Sequence, residues 1–267
     1  MDYVLFPFTW FIDHTFGYIV KLLFLLIDVI FPDSFTAVVT KYSDLFYQGI
    51  KYTLGISLFG TIFGFIIALL LAVVMVIKVK KTDSLIKKIF LRTIQSIIKI
   101  YVTVFRGTPM MVQAMIIYYG LVSIIHFSPV YAGLLIVSIN TGAYLTEVLR
   151  KGIESVDSGQ LEGARSLGFS YSKAMFYVVI PQAIKNSMAA IGNEFVINIK
   201  DTSVLNVIGC AEMYFALKTS ASSNYRYMET MIIGAIVYLI LTFTTTKILS
   251  LIDKKIGGGK VDIKSSN

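Results

Sequence analysis

The stretch "LGISLFGTIFGFIIALLLAVVMVI", residues 54–77, contains no charged side chain. A helix of about 20 apolar residues crosses the hydrocarbon core of a bilayer, so this run fixes the solvent for the rest of the chain. Four further apolar stretches agree with it, and the expected spans are roughly 47–77, 110–125, 130–149, 178–199 and 229–252. A transmembrane barrel would instead show alternating segments of about ten residues. Composition fits the same reading: the 267 residues are 56% hydrophobic and 15% charged, against roughly a quarter charged in a soluble domain. The sequence predicts an all-α integral membrane protein with one core and no independent soluble domain.

The net charge of +8 points to topology rather than to nucleic acid, because the basic residues flank the spans. "KVKKTDSLIKKIFLR" carries Lys78, Lys80, Lys81, Lys87, Lys88 and Arg92. With five spans, this loop, the loop after span three and the tail "DKKIGGGKVDIK" fall on one side, which should be cytoplasmic. The chain then sits in a cell membrane as a multi-pass protein.

The first forty residues divide from the rest. "FGYIVKLLFLLIDVIF" is apolar but short, and it carries Lys21 and Asp28. It reads either as a sixth span or as a helix in the interface, and the two charges favour the interface. A signal peptide would want a basic n-region and a small-residue cleavage site, and Asp2 and the bulky residues around Pro32 fit neither. The expected organisation is an N-terminal segment 1–40, a transmembrane domain 41–252 with a polar insert at 155–173, and a cytoplasmic tail 253–267.

Between spans one and two, Lys88, Arg92, Gln95, Lys99, Thr103 and Arg106 recur at steps of three and four, a polar stripe on one helical face. The stripe either rests on anionic lipid or faces a watery vestibule. It stops at "RGTP", residues 106–109, where Gly107 and Pro109 weaken the helix and Thr108 is biased towards extended backbone.

The polar insert follows local rules. Asp157 and Gln160 suit an N-cap with a capping-box partner, and Gly168 suits the left-handed position after a helix over Ser158–Leu167. Ser170 or Ser172 would cap a departing helix. Gly163 and Ala164 together would leave a bare patch for close approach by another surface.

Intramembrane polar residues are functional candidates by default. Asn140, Tyr144 and Glu147 share a face of span three; Glu194, Asn198 and Asp201 share one of span four, with Asn193 beside Glu194. The competing reading is hydrogen bonding that holds the bundle together. Cys210 is the single cysteine, and His14 and His126 stand far apart, so no metal centre and no catalytic constellation are expected.

Glu162, Gly163, Ala164, Gly168, Val178, Ile180 and Pro181 together resemble the "EAA" motif of bacterial ABC importer permeases, with Gly163 where Ala is usual. "FRGTPMMVQ", "AYLTEVLRKGI", "SGQLEGARSLG", "IPQAIKNSMAAIGNEFV" and "IKDTSVLNVIG" follow in order, and together they are similar to the polar-amino-acid branch of that family. The resemblance implies a five-span permease core, to which the N-terminal apolar segment is an addition. It implies ATPase coupling through Glu162, Gly163, Ala164, Arg165, Gly168 and Pro181. It also implies a cytoplasmic ABC ATPase dimer, a second permease subunit (identical or related) and an extracytoplasmic amino-acid-binding protein. No G-x-x-x-x-G-K-[ST] loop is present, so this chain binds no cofactor and ATP with Mg belongs to the partner. The substrate pathway would run past Asn140, Tyr144, Glu147, Asn193, Glu194 and Asp201. Alternatives are an ion-coupled carrier or channel, which would show internal repeats, and an intramembrane enzyme, which would show paired catalytic motifs.

Overall fold

The computed structural model describes residues 33–256, apart from 80, 123, 125 and 127. Its regular elements are all helical. Helix α1 (Asp33–Met75) kinks at Tyr42, where φ is −117° and ψ 15°. The expectation for residues 1–40 lies outside the described residues as far as 32. From Asp33 onward the chain is already in α1, which runs through the boundary drawn at 40.

Helix α2 (Leu85–Gly107) starts at Ser84, whose hydroxyl accepts from the Lys87 amide, and ends at Thr108 with φ −123° and ψ 148°. Pro109 imposes that extended conformation on Thr108, so the break falls where the sequence placed it. Helix α3 (Met110–Leu121) has 12 residues, about 18 Å at 1.5 Å per residue. That is too short for a core of about 30 Å. The second span is therefore not 110–125 alone: α3 passes the length and hydropathy test only when counted with α2, as a broken span or a re-entrant loop.

Helix α4 (Pro129–Glu154) is followed by α5 (Ser158–Ser166), α6 (Tyr171–Ala174), a π-helical turn (Met175–Val179) and α7 (Ile180–Asp201). A 3₁₀ turn (Thr202–Ile208), α8 (Met213–Asn224) and α9 (Tyr227–Ile256) complete the order. Among the described residues, α1, α4 and α9 are individually long and apolar enough to span. At 22 residues, α7 is long enough, but its row of amides and carboxylates lowers its hydropathy.

The described chain forms two compact units. One comprises the start of α1 to Gly60, Met110–Val137 and Val196–Thr245. Its core joins Ile56, Ala114, Ala132, Ile136, Leu205, Ile208 and Cys210, and α3 packs on the 3₁₀ turn. Glu212 is fully buried there. A buried carboxylate is costly unless its lone pairs are satisfied, and these are. Its oxygens accept from the amides of Tyr214 (2.8 Å) and Phe215 (2.7 Å), and from the Tyr238 hydroxyl (3.1 Å). It is thus the N-cap of α8, and the sequence reading missed it.

The other unit comprises Thr61–Pro109, Ser138–Phe195 and the end of α9. Ala68, Ala72, Leu145, Leu149, Ile153, Met175, Val179 and Ala183 form its core. A Cβ at Gly152 would collide with the Ser187 side chain and the Ala183 carbonyl. Small residues at such crossings let membrane helices approach closely, and here α4 and α7 meet through Gly152.

Candidate functional site

The insert is built by short-range chemistry. Asp157 Oδ1 accepts from the Gly159 amide at 2.6 Å, while the Gln160 amide goes to the Asp157 carbonyl at 3.0 Å. The expected capping box is thus replaced by an Asx-type cap, at a position where a Cβ on residue 159 would lie 2.8 Å from Asp157 Oδ1. At the far end Gly168 has φ +89°. Its amide donates to the Arg165 carbonyl (3.0 Å), and the Phe169 amide donates to the Ala164 carbonyl (3.2 Å), the two bonds of a Schellman closure. Ser170 then caps α6 by accepting from the Lys173 amide.

Glu162, Gly163, Arg165, Leu167, Gly168 and Phe169 face outwards. Ala164 is 8% exposed and turns into the unit. This corrects the expected Gly163–Ala164 patch: consecutive helical positions diverge by about 100°, so only Gly163 stays bare. Pro181 lies in the first turn of α7, just after the π-helical turn. Proline lacks an amide and its ring crowds the carbonyl four residues back. The wide turn makes that room, with the Ile180 amide reaching the Met175 carbonyl.

The polar stripe of α2 divides among several tasks. The Gln95 side-chain amide donates to the Val74 carbonyl (3.1 Å), which also takes the Ile77 amide, and to the Ile77 carbonyl (2.9 Å), near the helix end where carbonyls run out of intrahelical partners. Lys88 Nζ donates to the Lys81 carbonyl, and Lys87 pairs with Asp83, both at 2.7 Å. Arg92, Lys99 and Thr103 are exposed.

The last turns of α2 lie along α4. The Tyr101 hydroxyl donates to the Ile139 carbonyl at 2.6 Å, and Asn140 Nδ2 donates to the Phe105 carbonyl at 3.4 Å. These contacts hold Arg106 with its guanidinium 5.3 Å from the centre of the Tyr144 ring. Such a stack contributes about 0.5–1 kcal/mol at an exposed site. One turn on, Arg150 grips Glu147 in a fork (2.6 and 3.2 Å) and reaches Glu154 at 2.7 Å.

The α4 residues that pack towards α7 are Leu145, Leu149, Gly152 and Ile153. At about 100° per residue, Tyr144 and Glu147 lie on the other side of that helix. The structure brings Tyr144 to Arg106 and Glu147 to Arg150. Asn193 is exposed, Glu194 half-buried with partners, and Asp201 exposed at the end of α7. Arg106 was legible as part of the stripe, but no sequence signal marked its stacking on Tyr144.

Residues 85–258 match the model of the family described as binding-protein-dependent transport system inner membrane component. The chain belongs to that family, and is an inner-membrane transport permease. It is 33% identical to the arginine transport system permease protein ArtQ of Bacillus subtilis, over 78% of this chain and 91% of that one. It is 31% identical to the glutamine transport system permease protein GlnP of Escherichia coli, over 79% and 92% respectively. Among solved structures it is similar to an amino acid ABC transporter with histidines, with a TM-score of 0.69 and 37% identity, covering 81% of this chain and 96% of that one. A methionine ABC transporter, MetNI in inward-facing conformations, shares the fold at TM-score 0.66 and 15% identity, covering 79% and 96%.

Proposed function

We propose that this permease carries polar amino acids inward, driven by a cytoplasmic ABC ATPase dimer that binds ATP and Mg. A second permease subunit completes the pathway, and an extracytoplasmic binding protein delivers the substrate. Helix α5 is the coupling element, presenting Glu162, Gly163, Arg165 and Gly168 to the ATPase. Ala164 packs α5 against its own chain, and Pro181 sets the turn that follows. The amino acid passes Asn140, Tyr144, Glu147, Asn193, Glu194 and Asp201.

The observation that carries the coupling reading is the outer surface of the insert. Leu167 is 84% exposed and Phe169 42%, next to the Gly168 elbow. An apolar pair on a polar connector marks a contact surface when it is contiguous. The relatives' names supply the substrate class. The test is purification in detergent of the chain expressed with the ATPase encoded beside it. The wild type should bring the ATPase down, and Leu167→Glu should reduce its recovery by about tenfold, or ~1.4 kcal/mol. Recovery unchanged in Leu167→Glu would remove α5 from the interface. ATP-independent uptake would instead favour a carrier.

A further inference from the structure

Two arginines lie along the same stretch of α2 and α4 and differ in one respect. Arg150 spends its donors on Glu147 and Glu154. Arg106 is exposed, stacks on Tyr144, and has no carboxylate within ion-pair distance among the described residues. The Tyr144 ring beneath it is 37% exposed, and its hydroxyl donates to none of the described residues. The Arg106 guanidinium and the Tyr144 phenol thus lie together without a hydrogen bond to the described residues, and Glu147, which also feels the Arg106 charge, forms its ion pair with Arg150.

We propose that Arg106 and Tyr144 form an anchor for the main-chain carboxylate of the transported amino acid. This rests on the amino-acid reading above, and assigns the residue that recognises the feature every such substrate shares. The chemistry is specific. A planar guanidinium takes a carboxylate through two parallel N–H···O bonds, which an ammonium cannot imitate. Stacking on Tyr144 limits the conformations Arg106 explores, so less ordering is needed on binding. The backbone is held as well, by Tyr101 on Ile139 and Asn140 on Phe105. Arg106 closes α2, where the helix dipole also favours a cation. The anchor reads the common part of the substrate, leaving the side chain to other residues.

The test uses the assembled permease–ATPase complex in detergent without its binding protein, so that only the membrane site is read. Probes are L-arginine and L-glutamine, each against its carboxamide, L-argininamide and L-glutaminamide. Wild type should favour the acids over the amides by about tenfold, the scale of one charge-assisted fork. Arg106→Gln should weaken the acids by about as much and bring the ratio close to one. Arg106→Lys should restore part of the preference, since it keeps the charge but not the fork. Tyr144→Phe keeps the stack and should lose about threefold, less than a full bond to a charged group. Co-elution of each variant with the ATPase shows that it has folded. Saturable binding with an undiminished acid preference in Arg106→Gln would overturn the anchor alone. No saturable binding of either amino acid in the wild type would overturn the substrate reading and the anchor with it.

Discussion

Helix α5 and the polar stripe of α2 are both charged segments read from sequence, yet their structures teach opposite lessons. In α5 every element that matters is set within a few residues: the Asp157 cap, the left-handed Gly168, and the Schellman bonds to Arg165 and Ala164. In α2 the periodicity correctly marks one face, but its members then part company. Gln95 closes the end of α1, Lys88 closes a loop, and Arg106 stacks on α4. Local chemistry specifies conformation. Periodicity specifies only a direction, and what lies in that direction depends on chain that is distant in sequence.

The sharpest way to break this comparison is at Gly168. A β-branched residue is strongly disfavoured at φ +89°, and ordinary L residues lose roughly 1–2 kcal/mol there. Space is not the issue, since a Cβ at this position meets nothing within 4 Å. Gly168→Val should therefore cut uptake to below about a tenth of wild type by re-aiming the segment after α5, while the membrane core keeps its melting temperature. Asn, which tolerates the left-handed region, should retain most uptake. If Val and Asn behave alike, conformation at the elbow is not what matters.

The next largest effect should appear in the stripe, as stability rather than transport. Gln95→Leu removes the side-chain donor at the end of α1: the Val74 carbonyl keeps the Ile77 amide, and the Ile77 carbonyl loses its Gln95 bond. These groups are half-buried, so losing the bond costs about 0.5–1.5 kcal/mol, which should lower the melting temperature measured in detergent. Uptake per folded molecule should hold. A vestibule residue would do the reverse, so unchanged melting with altered uptake would return Gln95 to the pathway.

These cases show how far the residues could be read. The spans α1, α4 and α9, the break at Thr108–Pro109 and the two ends of α5 at Asp157 and Gly168 were legible, because apolar run length, proline and glycine act locally. Three things were not. The short α3 was hidden because "MMVQAMIIYYGLVSII" continues the apolar run beyond Leu121, where the helix stops. Glu212 was hidden because a capping carboxylate looks like any acidic residue until Tyr238 and its burial are known. The pairing of Arg106 with Tyr144 joins residues distant in sequence, and neither residue's own helix demands it.

The smallest predicted effect separates two consequences of a single methyl group. Gly163 faces open space, with nothing within 4 Å of a Cβ, and it sits inside α5. Gly163→Ala should therefore favour the helix by about 1 kcal/mol, and nothing in the chain resists it. By propensity alone the variant is better folded. The coupling proposal predicts the opposite for function, since Gly163 is the bare position left on the outer surface once Ala164 turns inward. A methyl there holds the ATPase slightly off, so uptake should fall by about twofold, under 0.5 kcal/mol. Thermal stability should be equal or higher in the same preparation. Uptake that rises with helix stability would show that nothing approaches closely at Gly163, and would move the contact to Leu167 and Phe169.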